Sequence, residues 1–158
     1  MESAAAVTNE LNAPIEDQNK AVFQRYIEEL WNQGKTEIID EIMHDDLFCH
    51  PPSFDGKTYK GDMAGIIEAF HAAFPAGRFT FTINEMIAEG DKVAVWLAFN
   101  GQQKGEFCGV PSSGKTLTFD VLGYYRFSGG KIIEVRKLNV GHNHDFISAM
   151  GIHEQLGA

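Results

Sequence analysis

The sequence predicts a one-domain α+β fold, with helices near the N-terminus covering the apolar face of a long, curved, mostly antiparallel sheet. Three observations carry this expectation. Residues 89–140 read as successive strands joined by tight turns rather than helices, which makes an antiparallel sheet. The long helical patterns lie earlier in the chain, and an apolar sheet face needs a cover. The 158 residues are 44% apolar and include twelve Phe, enough for a single core. Helices on a curved sheet leave room for a pocket between the layers.

Taken in order, residues 1–16 are expected to be a mobile tail and 17–158 one domain. Asp17 can cap a helix starting near Gln18, in which Val22, Phe23, Tyr26, Ile27, Leu30 and Trp31 recur at three- and four-residue steps. Asn32-Gln33-Gly34 ends it. A short helix from about Thr36 buries Ile38, Ile39, Ile42 and Met43. Leu47 to His50 is a short apolar run stopped by Pro51-Pro52, which suits an edge strand. A third helix, about Met63 to Phe74, buries Ile66, Ile67, Phe70 and Phe74 and stops at Pro75-Ala76-Gly77. Arg78 to Glu89 alternates Phe79, Phe81 and Ile83 with Thr80, Thr82 and Asn84, as a half-buried strand does. Val93 to Gln103, Leu117 to Phe127 and Lys131 to Val140 supply three more strands, the last two joined at Ser128-Gly129-Gly130.

The net charge of −9 argues against nucleic acid and anionic membranes, because no basic patch is available to release counterions. No basic n-region or apolar leader opens the chain and no run is long enough to span a bilayer, so a cytoplasmic protein is expected. Cys49 and Cys108 are read as free thiols, with a single bridge between them as the alternative. There is no Gly-x-Ser-x-Gly elbow, and Gly114-Lys115-Thr116 is not a phosphate loop, since Val110 stands where that motif needs Gly. His142-Asn143-His144-Asp145 could suggest metal. It reads better as the entry to a final helix capped by Asp145, and no metal or other cofactor is expected.

Several pieces carry a resemblance through their order and spacing: Gly61; Phe70-His71-Ala72-Ala73-Phe74-Pro75; Ala88-Glu89-Gly90-Asp91-Lys92-Val93; Gly105-Glu106-Phe107-Cys108-Gly109-Val110-Pro111 with Gly114-Lys115; and Arg126-Phe127 before Gly130-Lys131-Ile132. Over about residues 18–140 the chain resembles the SnoaL-like polyketide cyclases of the NTF2-like superfamily. The resemblance implies a cone-shaped α+β barrel, a homodimer through the outer sheet face, and an apolar pocket for polycyclic or terpenoid-like molecules. It also implies where chemistry sits: such cyclases typically carry His at the position of Gln103, often His or Asp at Gly123, and the acid–base Asp at Lys137. With Gln, Gly and Lys there, the usual carboxylate mechanism does not carry over.

Strand alternation sorts the faces. With Gln103 and Lys137 facing the pocket, Leu97, Phe99, Phe119, Val121, Gly123, Tyr125, Ile133, Val135 and Asn139 face it too, while Trp96, Asp120, Tyr124, Glu134, Arg136 and Leu138 face outward. Tyr26 and Trp31 cover the cavity from the first helix, and His50 approaches from the first strand. The candidate catalytic residues are therefore His50, as proton carrier, and Lys137, which polarises a substrate carbonyl or, desolvated, acts as base or imine-forming amine. Tyr26, Trp31, Leu97, Phe99, Gln103, Phe119, Tyr125 and Asn139 are the candidate substrate-binding residues. The structural alternatives are a paired or snorkelling Lys137 and a His50 that only packs. The functional expectation is a cofactor-independent cyclase, isomerase or dehydratase acting on a hydrophobic carbonyl compound. The alternative is a non-catalytic module that carries an apolar ligand or dimerises.

Overall fold

The computed structural model describes residues 13–50, 58–75, 77–107, 111–112, 114 and 116–141. The His142–Asp145 segment, Cys108 and the Pro51-Pro52 stop lie outside them. Helix α1 (Ile15–Arg25) begins three residues before the expected start, and Pro14 rather than Asp17 is its N-cap. The Pro14 carbonyl accepts from the amides of Asp17 and Gln18 at 3.0 and 3.1 Å. Asp17 and Glu16 instead lie in the first turn, where negative charge suits the helix dipole. Glu16 Oε1 also accepts from the Gly90 amide at 3.1 Å, tying the helix start to a distant sheet turn.

From Tyr26 to Asn32 the helix widens into π-helical turns. Regular three- and four-residue periodicity gives no warning of this, because Tyr26, Ile27, Leu30 and Trp31 are buried in either winding. The wider turn does bring residues five apart together: the Tyr26 and Trp31 rings meet edge-on at 6.3 Å. Asn32 then acts as a surrogate strand partner. Its Nδ2 donates to the Phe81 carbonyl at 3.0 Å and its Oδ1 accepts from the Phe81 amide at 2.8 Å. His71 Nε2 donates to the Trp31 carbonyl at 2.8 Å, so this histidine holds the helix end.

A 3-10 turn (Thr36–Ile38) and the short α2 (Ile39–Ile42) lead into β1 (Met43–Cys49), followed by β2 (Thr58–Tyr59), a 3-10 turn (Lys60–Asp62) and α3 (Met63–Ala73). Strands β3 (Phe79–Glu89), β4 (Lys92–Gln102), β5 (Thr116–Ser128) and β6 (Lys131–Gly141) complete the order. The sheet runs β2-β1-β6-β5-β4-β3 and is not closed. All its pairings are antiparallel except β1 with β6. β1 is thus not the edge strand expected; it lies between β2 and β6. At the β5–β6 hairpin Gly129 and Gly130 both have positive φ, 59° and 76°, which a two-residue turn of matching twist requires.

One register shift changes a face assignment. β6 pairs Ile132 with Phe127 but Glu134 with Arg126, so Ile133 is an extra residue in a bulge. Ile132 is fully buried and Ile133 is not, against the simple alternation. Beyond the bulge the expected parity returns, with Val135 buried and Lys137 and Asn139 on the inner side. The core joins Phe23, Leu30, Ile67, Phe70 and Phe74 of the helical layer to Leu97, Phe99, Phe119 and Val121 of the sheet.

Candidate functional site

Between α1 with its π-helical extension, α3 and the inner face of β3–β6 lies a narrow cavity. Its walls are Tyr26, Ile27, Trp31, Phe70, Phe81, Leu97, Phe119, Val121, Tyr125, Lys137 and Asn139. An aromatic cavity with a few converging polar groups is the usual makeup of a small-molecule site. The polar groups form a connected set. Tyr26 and Tyr125 are hydrogen-bonded to each other, with ring centroids 5.5 Å apart, and Tyr26 is also bonded to the side chain of Trp31. The indole N–H can only donate, so the Tyr26 oxygen accepts it. Burial raises both phenols above the ordinary tyrosine value, so they stay protonated at neutral pH.

Lys137 reaches into this set with its Nζ 5.5 Å from the Trp31 ring centroid. Burial lowers its pKa, while Cys49 nearby opposes the shift. The residue as a whole is half-buried, and it lines both this cavity and a hollow on the outer face of the sheet. Across the β5–β6 ladder stands Gly123. A Cβ there would come within 2.7 Å of the Arg136 carbonyl oxygen and 2.9 Å of the Lys137 Cβ, so the glycine permits close strand approach beside the lysine. Cys49, a buried free thiol, has its pKa raised by burial, with Lys137 pulling the other way.

Seven of the ten candidate residues come together as expected: Tyr26, Trp31, Leu97, Phe119, Tyr125, Lys137 and Asn139. Three do not. His50 follows a strand whose inward residues are Leu47 and Cys49, so alternation sends Phe48 and His50 to the opposite face. There the His50 ring packs edge-on to Phe48 at 4.6 Å, and its Nε2 lies 3.6 Å from Glu134 Oε2. It lines the outer hollow with Leu122, Tyr124, Arg136 and Leu138. Glu134 also accepts from the Tyr124 hydroxyl at 2.8 Å, the first reason its pKa lies below the usual carboxylate value.

Gln103 lies past the end of β4, where the chain turns away so that the amides of Lys104 and Gly105 donate to the Ala73 carbonyl. Its buried side chain donates to the Gly105 carbonyl at 2.8 Å, a loop-forming role outside the cavity wall. Phe99 is buried as expected but stands behind the wall, stacked on Phe119 at 4.6 Å. The reason is Gly101: a Cβ there would lie 2.6 Å from Phe99 Cζ, so the ring bends along the sheet into space the glycine leaves.

The sequence reading missed Ile27, Phe70 and Phe81 as wall residues. Phe70 and Phe81 were legible as buried positions of α3 and β3, but not as facing one cavity. Among the described residues no cluster of His, Cys, Asp and Glu could hold a metal ion, and no helix is long and apolar enough to cross a membrane.

Helices on one face of an open six-stranded mixed sheet, with an aromatic cavity between, define an α+β protein of the cystatin-like, NTF2-like kind. The sequence profile of the SnoaL-like polyketide cyclases matches residues 21–139, and the chain belongs to that family. Among solved structures it is similar to a protein from Jannaschia sp. CCS1 provisionally described as a SnoaL-like polyketide cyclase, at 23% identity and a TM-score of 0.72, covering 89% of this chain and 96% of that one. Wild-type IdmH from Streptomyces antibioticus, provisionally a polyketide cyclase, aligns at 22% identity and a TM-score of 0.67, covering 85% and 99%. A Xanthomonas campestris protein of unknown function with a cystatin-like fold aligns at 23% identity and a TM-score of 0.61, covering 84% and 96%. At these identities the structures speak for the fold alone. No curated protein matches this chain.

Proposed function

We propose that this chain is a cofactor-independent enzyme that moves protons beside the carbonyl of an apolar, polyketide- or terpenoid-like compound, leading to cyclisation, isomerisation or dehydration. The observation that carries this reading is an amine set among aromatic walls, with Lys137 Nζ over the Trp31 ring and two hydrogen-bonded phenols in the same cavity. In this reading Lys137 engages the substrate carbonyl. Tyr26 and Tyr125, kept protonated by burial, donate to the oxygen as enolate charge develops. Asn139 orients the substrate, and Leu97, Phe81 and Phe119 exclude water. His50 has no part in this chemistry, since its ring lies against Glu134 on the other face of the sheet.

The test needs no knowledge of the product. In D2O an enzyme of this kind accelerates hydrogen–deuterium exchange at the carbon next to the carbonyl of aryl ketones, followed by proton NMR, and Lys137→Met abolishes the acceleration while leaving ligand binding intact. Binding of the same ketones with no accelerated exchange would instead make the chain a carrier.

We also propose that the chain is a homodimer through the outer sheet face. Trp96, Leu122 and Leu138 lie directly across from one another on β4, β5 and β6, and each is 44–58% exposed. Such an aligned apolar stripe is costly to leave in water.

A further inference from the structure

The outer face of β4–β6 differs from one end to the other. Its middle row is the exposed Trp96, Leu122 and Leu138. On one side of that row Ala94, Tyr124 and Arg136 stand in register, and on the other Ala98, Asp120 and Val140. The first side is hollow and basic. The hollow bordered by His50, Tyr124, Arg136 and Leu138 opens there. Arg126 and Arg136 share one carboxylate, Glu134, at 3.4 and 4.0 Å, and the Tyr124 hydroxyl donates to it as well. Two cations thus face one anion, and a protonated His50, 3.6 Å from Glu134, would add to the excess. Arg136 is the looser of the two, with its side chain 55% exposed. The second side is acidic and apolar. Val140 is 53% exposed, and no cation lies within ion-pair distance of Asp120 among the described residues.

We propose that a second copy of this chain docks here on a two-fold axis lying along the Trp96-Leu122-Leu138 row, so that Asp120 of each copy meets Arg136 of the other. The inference rests on the proposed homodimer and adds its axis and its ion pairs. Rotation about that row lays Leu122 on Leu122 and exchanges the two sides, each about 7 Å from the axis along the strands. Val140 of one copy then enters the hollow of the other, and Asp120 comes over Tyr124, one strand from Arg136. Sheets stacked about 10 Å apart leave this gap within reach of an arginine and an aspartate together. The strands of the two copies run in opposite directions but stay aligned, as packed sheets commonly do. The contact is reciprocal, as a two-fold interface requires. Other axes spoil the match. An axis along β5 sets Asp120 against its own copy, and a crossed packing lays it over the apolar row.

Charge reversal tests the pairing, read by sedimentation of the full chain over a dilution series. Asp120→Arg sets two like-charged pairs in the dimer, and so does Arg136→Asp. Each alone should raise the dimer Kd at least about a hundredfold, at roughly tenfold or more per pair. Mixing the two single variants should restore dimers, because both reversed pairs then attract, and Asp120→Arg/Arg136→Asp in one chain should dimerise with itself. Recovery in the mixture also shows that both variants are folded. Should a single variant not fold, the double variant decides: a dimer supports the pairing and a monomer overturns it. Single variants that dimerise like the parent, or a mixture of folded variants that stays monomeric, overturn the pairing and leave the dimer standing. A monomeric parent chain overturns both.

Discussion

Phe99→Ala tests the packing that shapes the cavity from behind. The Phe99 ring is 1% exposed and lies between Phe119 at 4.6 Å, Phe81 at 5.0 Å, Phe74 at 5.3 Å and Phe70 at 5.7 Å. Three of these four neighbours, Phe70, Phe81 and Phe119, are themselves cavity walls. Truncation removes the buried ring and leaves a void that the four surrounding rings can only partly fill. The expected loss is roughly 3–5 kcal/mol, or about 6–20 °C in Tm at ~2–4 °C per kcal/mol for a domain of this size. The void should open into the ligand cavity by letting Phe119 and Phe81 fall back, so larger aryl ketones should bind more tightly while the fold is weakened. Urea denaturation measures the first effect, and a ligand-size series by fluorescence the second. Gly101→Ala provides the converse, since its Cβ would meet Phe99 Cζ at 2.6 Å and Phe79 Cβ at 2.7 Å. Overpacking should cost about 1–3 kcal/mol. Combining it with Phe99→Ala should recover part of that cost, because the Phe79 contact remains. A loss below about 1 kcal/mol for Phe99→Ala would refute the packing argument, as that is a surface-like response.

Three other outcomes are expected. Lys137 has a lowered folded-state pKa, so the unfolded chain binds more protons between that value and 10.5, and stability rises with pH across that window. Lys137→Met should therefore stabilise the fold most at neutral pH, with the gain shrinking toward pH 10.5 in denaturation curves taken at several pH values. Leu138→Glu, which puts a charge on the outer stripe, should turn a dimer into a monomer at tens of micromolar, a concentration on the order that tests a stable interface, as read by light scattering. A parent chain that is already monomeric removes the dimer proposal. Asn19 is 1% exposed on α1, and neither polar atom of its side chain has a hydrogen-bond partner among the described residues. Asn19→Leu should raise stability by roughly 1–2 kcal/mol, as expected when an unsatisfied buried amide gives way to an apolar side chain.

How much of this was legible beforehand depended on the range of the interaction involved. The order of helices and strands, the hairpin at Gly129-Gly130 and the inward set Leu97, Phe119, Tyr125, Lys137 and Asn139 follow from periodicity and turn chemistry, which are local. The amino-acid order also determined that a lysine and two phenols would share an apolar interior. Tertiary structure decided the rest. The bulge at Ile133 depends on how β6 meets β5, and the π-helical widening at Tyr26–Asn32 leaves the burial of Tyr26, Ile27, Leu30 and Trp31 unchanged while altering which rings touch. Gln103 left the cavity because the chain after β4 turns toward the Ala73 carbonyl, where the amides of Lys104 and Gly105 donate to a residue distant in sequence. His50 went to the outer face because β1 joins β6 in parallel with Cys49 opposite Val135. Alternation along a strand separates its residues into two sets, but only pairing with a neighbour says which set meets the core.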